Sequence, residues 1–185
     1  MLHSRSFRPG LFATLALVAT AGRAMDLPAL VNRADAAVGA TVYLVPPMAL
    51  FRASLDEARM QSAACRFTTT DVTAVNALLA LLKGSGLHDN PVYQKPDLRE
   101  GLYLKLTDGT QLKLLLEDNA GSRLPVVGIA ETSSGGNLQS VAVSARATLA
   151  GDVRSWAATY GGTRSGSACD RLVPASIAPD TTRVP

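Results

Sequence analysis

Residues 101–117, GLYLKLTDGTQLKLLLE, alternate apolar and polar side chains on either side of an Asp-Gly pair. Leu102, Leu104 and Leu106 alternate with Tyr103, Lys105 and Thr107; on the return, Leu112, Leu114 and Leu116 alternate with Lys113 and Leu115. A period of two is the mark of a strand with one buried face, and Asp-Gly between two such runs marks a hairpin. Two turns compete. A two-residue Asp108-Gly109 turn pairs Leu104 with Lys113 and mixes leucine with lysine on one face. A three-residue loop, Thr107-Asp108-Gly109 with Gly109 left-handed in a bulge, pairs Leu102 with Leu114 and Leu104 with Leu112. A slip of one residue turns every side chain over, so the register that keeps the apolar face whole is the expected one. That register puts Tyr103 opposite Lys113, with Lys105 beside them, on the other face.

Outward from the hairpin, Asp26–Val38 reads as a short helix, with Asp26 as cap and Pro28 in its first turn. Thr41–Val45 is strand-like and ends at Pro46-Pro47. Met48–Ala64 fits a helical face through Leu50, Phe51 and Leu55, or two short strands turning at Asp56-Glu57; strand-turn-strand is preferred. Cys65–Thr69 continues as strand. A helix capped by Thr70 or Asp71 then carries Val72, Val75, Leu78, Leu79 and Leu82 at helical spacing. It stops at Gly84, where a left-handed residue is wanted. Val126–Glu131 is expected to place Val127 and Ile129 on one face, and Leu138–Ala145 to align Val141, Val143 and Ala145, after a turn at Ser133–Asn137. Ala147–Tyr160 reads as a helix through Leu149, Val153, Trp156 and Tyr160, weakened by Gly151. Strands that follow one another directly pair antiparallel. The expected class is α+β: an antiparallel sheet of hairpins with two or three helices packed on one face and the other face open to water.

The first 24 residues have the layout of a cleaved secretory signal. Arg5 and Arg8 are followed by the uncharged apolar run Leu11–Thr20 and then Gly22-Arg23-Ala24, small residues suited to a signal peptidase. The run is about half the ~20 apolar residues of a membrane span, so no transmembrane segment is expected after cleavage. No Cys follows the run for lipid attachment, and Arg5-Ser6-Phe7-Arg8 is not a twin-arginine pair. Cleavage after Ala24 leaves a single domain over 25–173, with a proline-rich tail, 174–185, expected to be disordered. The full chain has 18 Lys+Arg against 15 Asp+Glu; losing Arg5, Arg8 and Arg23 leaves 15 against 15. The basic excess belongs to the leader, which argues against nucleic acid as partner.

Cys65 and Cys169 are the two cysteines. Behind a signal peptide they are expected to join, because oxidising compartments leave few free thiols. Closing so long a loop stabilises by up to about 4.7 kcal/mol on the chain-entropy account, with about 2–4 more typical. The bond would pin the Gly-rich stretch Gly161–Ser167 and the C-terminal segment beyond it onto the sheet. Cys-x-x-Cys is absent, so a redox role has no support.

Chemistry is sparse. After cleavage His88 is the one histidine, which leaves metal binding and a Ser-His-Asp triad without partners and points to no cofactor. Gly84-Ser85-Gly86 closes a helix, whereas a nucleophile elbow opens one. Gly161–Gly166 has the glycines of a phosphate loop but follows a helix. Catalytic residues are therefore expected to be none. Tyr103, Lys105 and Lys113 form the candidate contact patch, an aromatic flanked by cations on the outer hairpin face. The expectation is a periplasmic or secreted non-catalytic binding or accessory protein, its partner a protein or envelope component. The alternative is a small secreted hydrolase using His88 or a carboxylate pair.

Intact-mass analysis of the exported product should show a chain beginning at Met25 with the thiols of Cys65 and Cys169 joined. A product retaining residues 1–24 with both thiols free would contradict the export reading.

Overall fold

The structure is a computed structural model and describes residues 37–47, 49–90, 97–117 and 123–172. The expected leader, most of the helix expected over Asp26–Val38 and the expected 174–185 tail lie outside the described residues. In order, the elements are β1 (Ala37–Leu44), α1 (Glu57–Ala63), β2 (Cys65–Thr69), α2 (Val72–Lys83), β3 (His88–Asp89) and β4 (Leu98–Leu106). Then come β5 (Gln111–Glu117), β6 (Val126–Ser134), β7 (Asn137–Ala145), α3 (Leu149–Tyr160), β8 (Thr163–Ser165) and α4 (Cys169–Leu172). The strands form one sheet in the order β3-β7-β6-β5-β4-β1-β2-β8. Every strand pair is antiparallel, and Thr68 and Gly162 add an isolated parallel bridge. The class is α+β, mostly sheet.

The central hairpin has the expected register: Leu102 faces Leu114, Tyr103 faces Lys113 and Leu104 faces Leu112. Gly109 is left-handed, with φ +81°, and its N–H donates to the Leu106 carbonyl at 3.1 Å. Leu106 in turn donates to the Thr110 carbonyl at 2.9 Å, closing the three-residue loop. The β6–β7 hairpin turns tightly through Gly135 and Gly136, at φ +56° and +83°, the pairing for which two consecutive positive φ values are needed.

One face of the sheet carries Val42, Phe67, Leu102, Leu104, Leu114 and Leu116 into a common core with α2 and α3. From α2 come Val75, Leu78, Leu79 and Leu82; from α3 come Leu149, Val153 and Trp156. Asp71 caps α2, its carboxylate accepting from the Ala74 N–H at 2.8 Å. The Trp156 indole N–H donates to the Ala74 carbonyl at 2.8 Å and ties the two helices together. The disulfide joins Cys65 to Cys169 across 104 residues, with Cα atoms 4.5 Å apart.

Several sequence expectations change. Over Met48–Ala64 the strand-turn-strand reading gives way to α1, because Asp56 caps a helix instead of turning a hairpin: its Oδ1 accepts from the Arg59 N–H at 2.9 Å. That helix packs with Met60 against Leu98, Leu115, Tyr43 and Tyr103, the side of the sheet opposite α2 and α3. The gathering of helices on one face thus describes α2 and α3 but not α1. In β6 the core side belongs to Val126, Gly128 and Ala130, while Val127 and Ile129 are half-exposed on the other side. The partners explain this: Leu116 faces Gly128 and Leu114 faces Ala130, so small residues sit where leucines fill the layer. A Cβ on Gly128 would meet the Leu115 carbonyl oxygen.

Ala37 and Val38, placed in a helix by sequence, begin β1. Gly84 ends α2 in a right-handed conformation, and the left-handed residue is Gly86, at φ +65°. The Gly161–Ser167 stretch is not loose throughout, since β8 within it pairs Arg66 with Ser165 and Phe67 with Arg164. Tyr160, expected in line with the α3 core residues, is 41% exposed.

Glu100 lies wholly buried on the core side of β4, and Arg154 of α3 reaches its Oε1 at 3.1 Å from Nε. Arg154 Nη1 also donates to the Val45 carbonyl at 3.2 Å. Removing one partner strands a charge in the interior. Arg154→Met should destabilise by about 3–5 kcal/mol in urea unfolding at pH 7, and adding Glu100→Gln should recover part of that loss. Additive losses in the double variant would contradict the pairing.

Candidate functional site

The second face of the sheet can be read in rows across the strands. One row runs Thr68, Thr41, Tyr103, Lys113, Glu131 and Ser140; the next runs Arg66, Tyr43, Gly101, Leu115, Ile129 and Ala142. Helix α1 lies over the middle of these rows. Residue 101 beneath it is a glycine: a Cβ there would come within 2.8 Å of the Met60 Cε and 3.0 Å of the Tyr103 Cε2. A larger residue would force the Met60 side chain to move.

Polar contacts fasten α1 at its edge. Tyr103 donates its hydroxyl to Glu57 Oε1 at 2.8 Å and accepts from Gln61 Nε2 at 2.8 Å. Lys113 Nζ lies 2.9 Å from Glu57 Oε2 and 2.6 Å from Glu131 Oε2. The ammonium is also 5.9 Å from the Tyr103 ring centre, and Tyr43 meets Tyr103 edge-on at 5.4 Å and 74°. Burial, above all, pushes the Tyr103 phenol far above its ordinary range; the bond to Glu57 adds to this and the Gln61 bond works against it. The phenol stays neutral across the physiological range. Burial alone would lower the Lys113 pKa, but the bonds to Glu131 and Glu57 outweigh it and raise the value.

Beside this cluster lies an open groove of about 350 Å³. Its floor is Gly39, Thr41 and Thr68; Tyr43, Tyr103 and Gln61 form the wall towards α1, and Arg66, Lys105 and Gln111 stand around it. Among the described residues no carboxylate lines it. The three patch residues named from sequence share this face, with different roles. Tyr103 and Lys113 are engaged with Glu57 and Glu131, whereas Lys105 is exposed at the groove. The face is not open to water throughout, because α1 covers part of it.

Sequence reasoning missed Glu57, Gln61, Glu131 and Arg66. Glu57 and Gln61 are four apart on a helix whose residues also suit a strand-turn-strand pattern. Arg66 had a signal, since it alternates with Cys65 and Phe67 and must point away from the core.

The hydrolase alternative invokes His88 or a carboxylate pair; burial, then the nearby charge of Asp97, raises the Glu117 pKa, with Arg99 working against them. His88 sits exposed on the two-residue edge strand β3, its Nδ1 2.8 Å from the Gly86 carbonyl. Glu57 and Glu131 do approach one another, but through the ammonium of Lys113 that both hold. Ser85 of the Gly84-Ser85-Gly86 turn is buried and donates to the Leu82 carbonyl at 2.6 Å. Among the described residues no group of three or more His, Cys, Asp or Glu side chains is arranged to hold a metal ion. No family model, no curated protein and no solved structure matches the chain.

Because the folded pKa of Lys113 lies above the ordinary 10.5, its contribution to stability is fully present below the unfolded pKa and is lost as pH rises through the folded one. Lys113→Met should cost about 1–2 kcal/mol at pH 7 and low salt, after allowing for solvent screening of a partly exposed pair. The difference from wild type should shrink as alkaline pH deprotonates the wild-type lysine. A deficit independent of pH would contradict the ion-pair account.

Proposed function

We propose that the chain is an exported, non-catalytic binding or accessory protein of the periplasm or the extracellular space, and that it holds a protein or envelope component in the groove beside α1. The single observation that carries this reading is the construction of the groove. Its tyrosine wall is made rigid by Glu57, Gln61 and Lys113, while the polar side chains of the floor and of Arg66 and Lys105 face outward. A preordered wall beside adaptable polar groups lowers the ordering cost of binding. The acids closest to the groove are bonded to Lys113, which suits a recognition surface better than proton transfer.

Export is supported by the leader-like residues 1–24 and by the Cys65–Cys169 bond, a cross-link expected to persist in oxidising surroundings. Among the described residues no helix is long and apolar enough to cross a membrane.

A photo-crosslinking side chain placed at Lys105 should join the full exported chain to a discrete component of an envelope extract. The same group at Arg123, exposed and absent from the groove lining, should not. Equal labelling from both positions, or none from Lys105, would contradict the assignment of the groove.

A further inference from the structure

Resting on that reading, we infer that the groove receives an extended, acidic polypeptide segment, with Arg66 and Lys105 each meeting a carboxylate. Both cations are exposed, and among the described residues neither makes an ion pair. Among the described residues the lining brings them no acid, and Glu57, beside the wall, is bonded to Lys113 and Tyr103. Both charges are therefore open to a complementary ligand.

Their placement sets the shape of that ligand. Arg66 lies in the row of Tyr43, and Lys105 in the row of Gly39, four residues earlier in β1 and two strands across. Strand spacing and rise put their backbones roughly 17 Å apart on a diagonal. An extended chain covers that span in about five residues. Between the two cations the floor is low: Gly39 has no side chain, and Thr41 and Thr68 offer short hydroxyls to backbone groups. Tyr43 and Tyr103 supply an aromatic wall along one side.

The test uses the full exported chain and two fluorescein-labelled, C-amidated peptides, GDSTSGDG and the neutral GNSTSGNG. The acidic peptide should bind about tenfold more tightly than the neutral one, with affinity falling as salt is raised. Arg66→Glu and Lys105→Glu should each weaken it about fivefold, and Arg123→Glu should leave it unchanged. Lys105→Gln should give a smaller loss, and amide spectra should confirm that each variant is folded. On binding, the amide signals of Gly39, Thr41 and Thr68 should move. Equal affinity for both peptides, equal loss in Arg123→Glu, or a groove footprint from uncharged cellohexaose without one from the acidic peptide would overturn the inference. If Lys105 crosslinks to an envelope component while the peptide fails, the choice of ligand is wrong and the binding reading stands. Peptide binding without any crosslink would support the acidic-segment inference and contradict an envelope component as its source.

Discussion

The two faces of this sheet are sorted by one constraint, the register of β4 against β5. With Leu102 opposite Leu114 and Tyr103 opposite Lys113, every leucine of the core row enters the layer beneath α2 and α3, and every polar partner of α1 reaches the other side. A shift by one residue would place Lys113 in the apolar layer and a leucine beneath Glu57. Burying an unpaired ammonium is far costlier than any hairpin contact, so the alternative is strongly disfavoured. Gly109 is where the constraint is set: its left-handed backbone accommodates the third loop residue and fixes the count.

From that register follows a division of labour between the faces. The core side is filled by large side chains facing small ones, as Leu116 faces Gly128, and one charged pair, Glu100 with Arg154, crosses its margin. On the other side the same alternation leaves room for a short helix. Seven residues form a helix too short to persist alone, so α1 depends on its tertiary seat. Met60 over Gly101 and the Glu57–Lys113–Glu131 array supply that seat, and Gln61 of α1 joins Tyr43 and Tyr103 in lining the groove beside it.

The parts legible in the sequence were those with a local physical signal. The hairpin register could be read because only one count keeps leucine with leucine, and α2 because Asp71 and its 3.6-residue stripe agree. The cysteine pairing followed from there being two thiols behind a leader-like segment. Helix α1 was not legible: Asp56-Glu57 suits both a turn and a cap, and the choice depends on Met60 finding Gly101 from 41 residues away. The face of β6 was hidden for a related reason, since Val127 and Ile129 are the apolar residues and only the neighbouring strand shows that Gly128 and Ala130 must go inside. Of the site, Tyr103, Lys105 and Lys113 were visible as an outer row. Their partners Glu57 and Glu131 come from other elements, beyond the reach of local pattern.

The account is tested most directly by nuclear Overhauser contacts in the oxidised chain. Cross-peaks from the Met60 methyl to the Gly101 α-protons, together with side-chain contacts between Tyr103 and Lys113, are the predicted result. Contacts from Tyr103 to Leu112 or Leu114 as its directly opposed partner, with no signal joining Met60 to Gly101, would contradict both the register and the seat of α1 on which the groove depends.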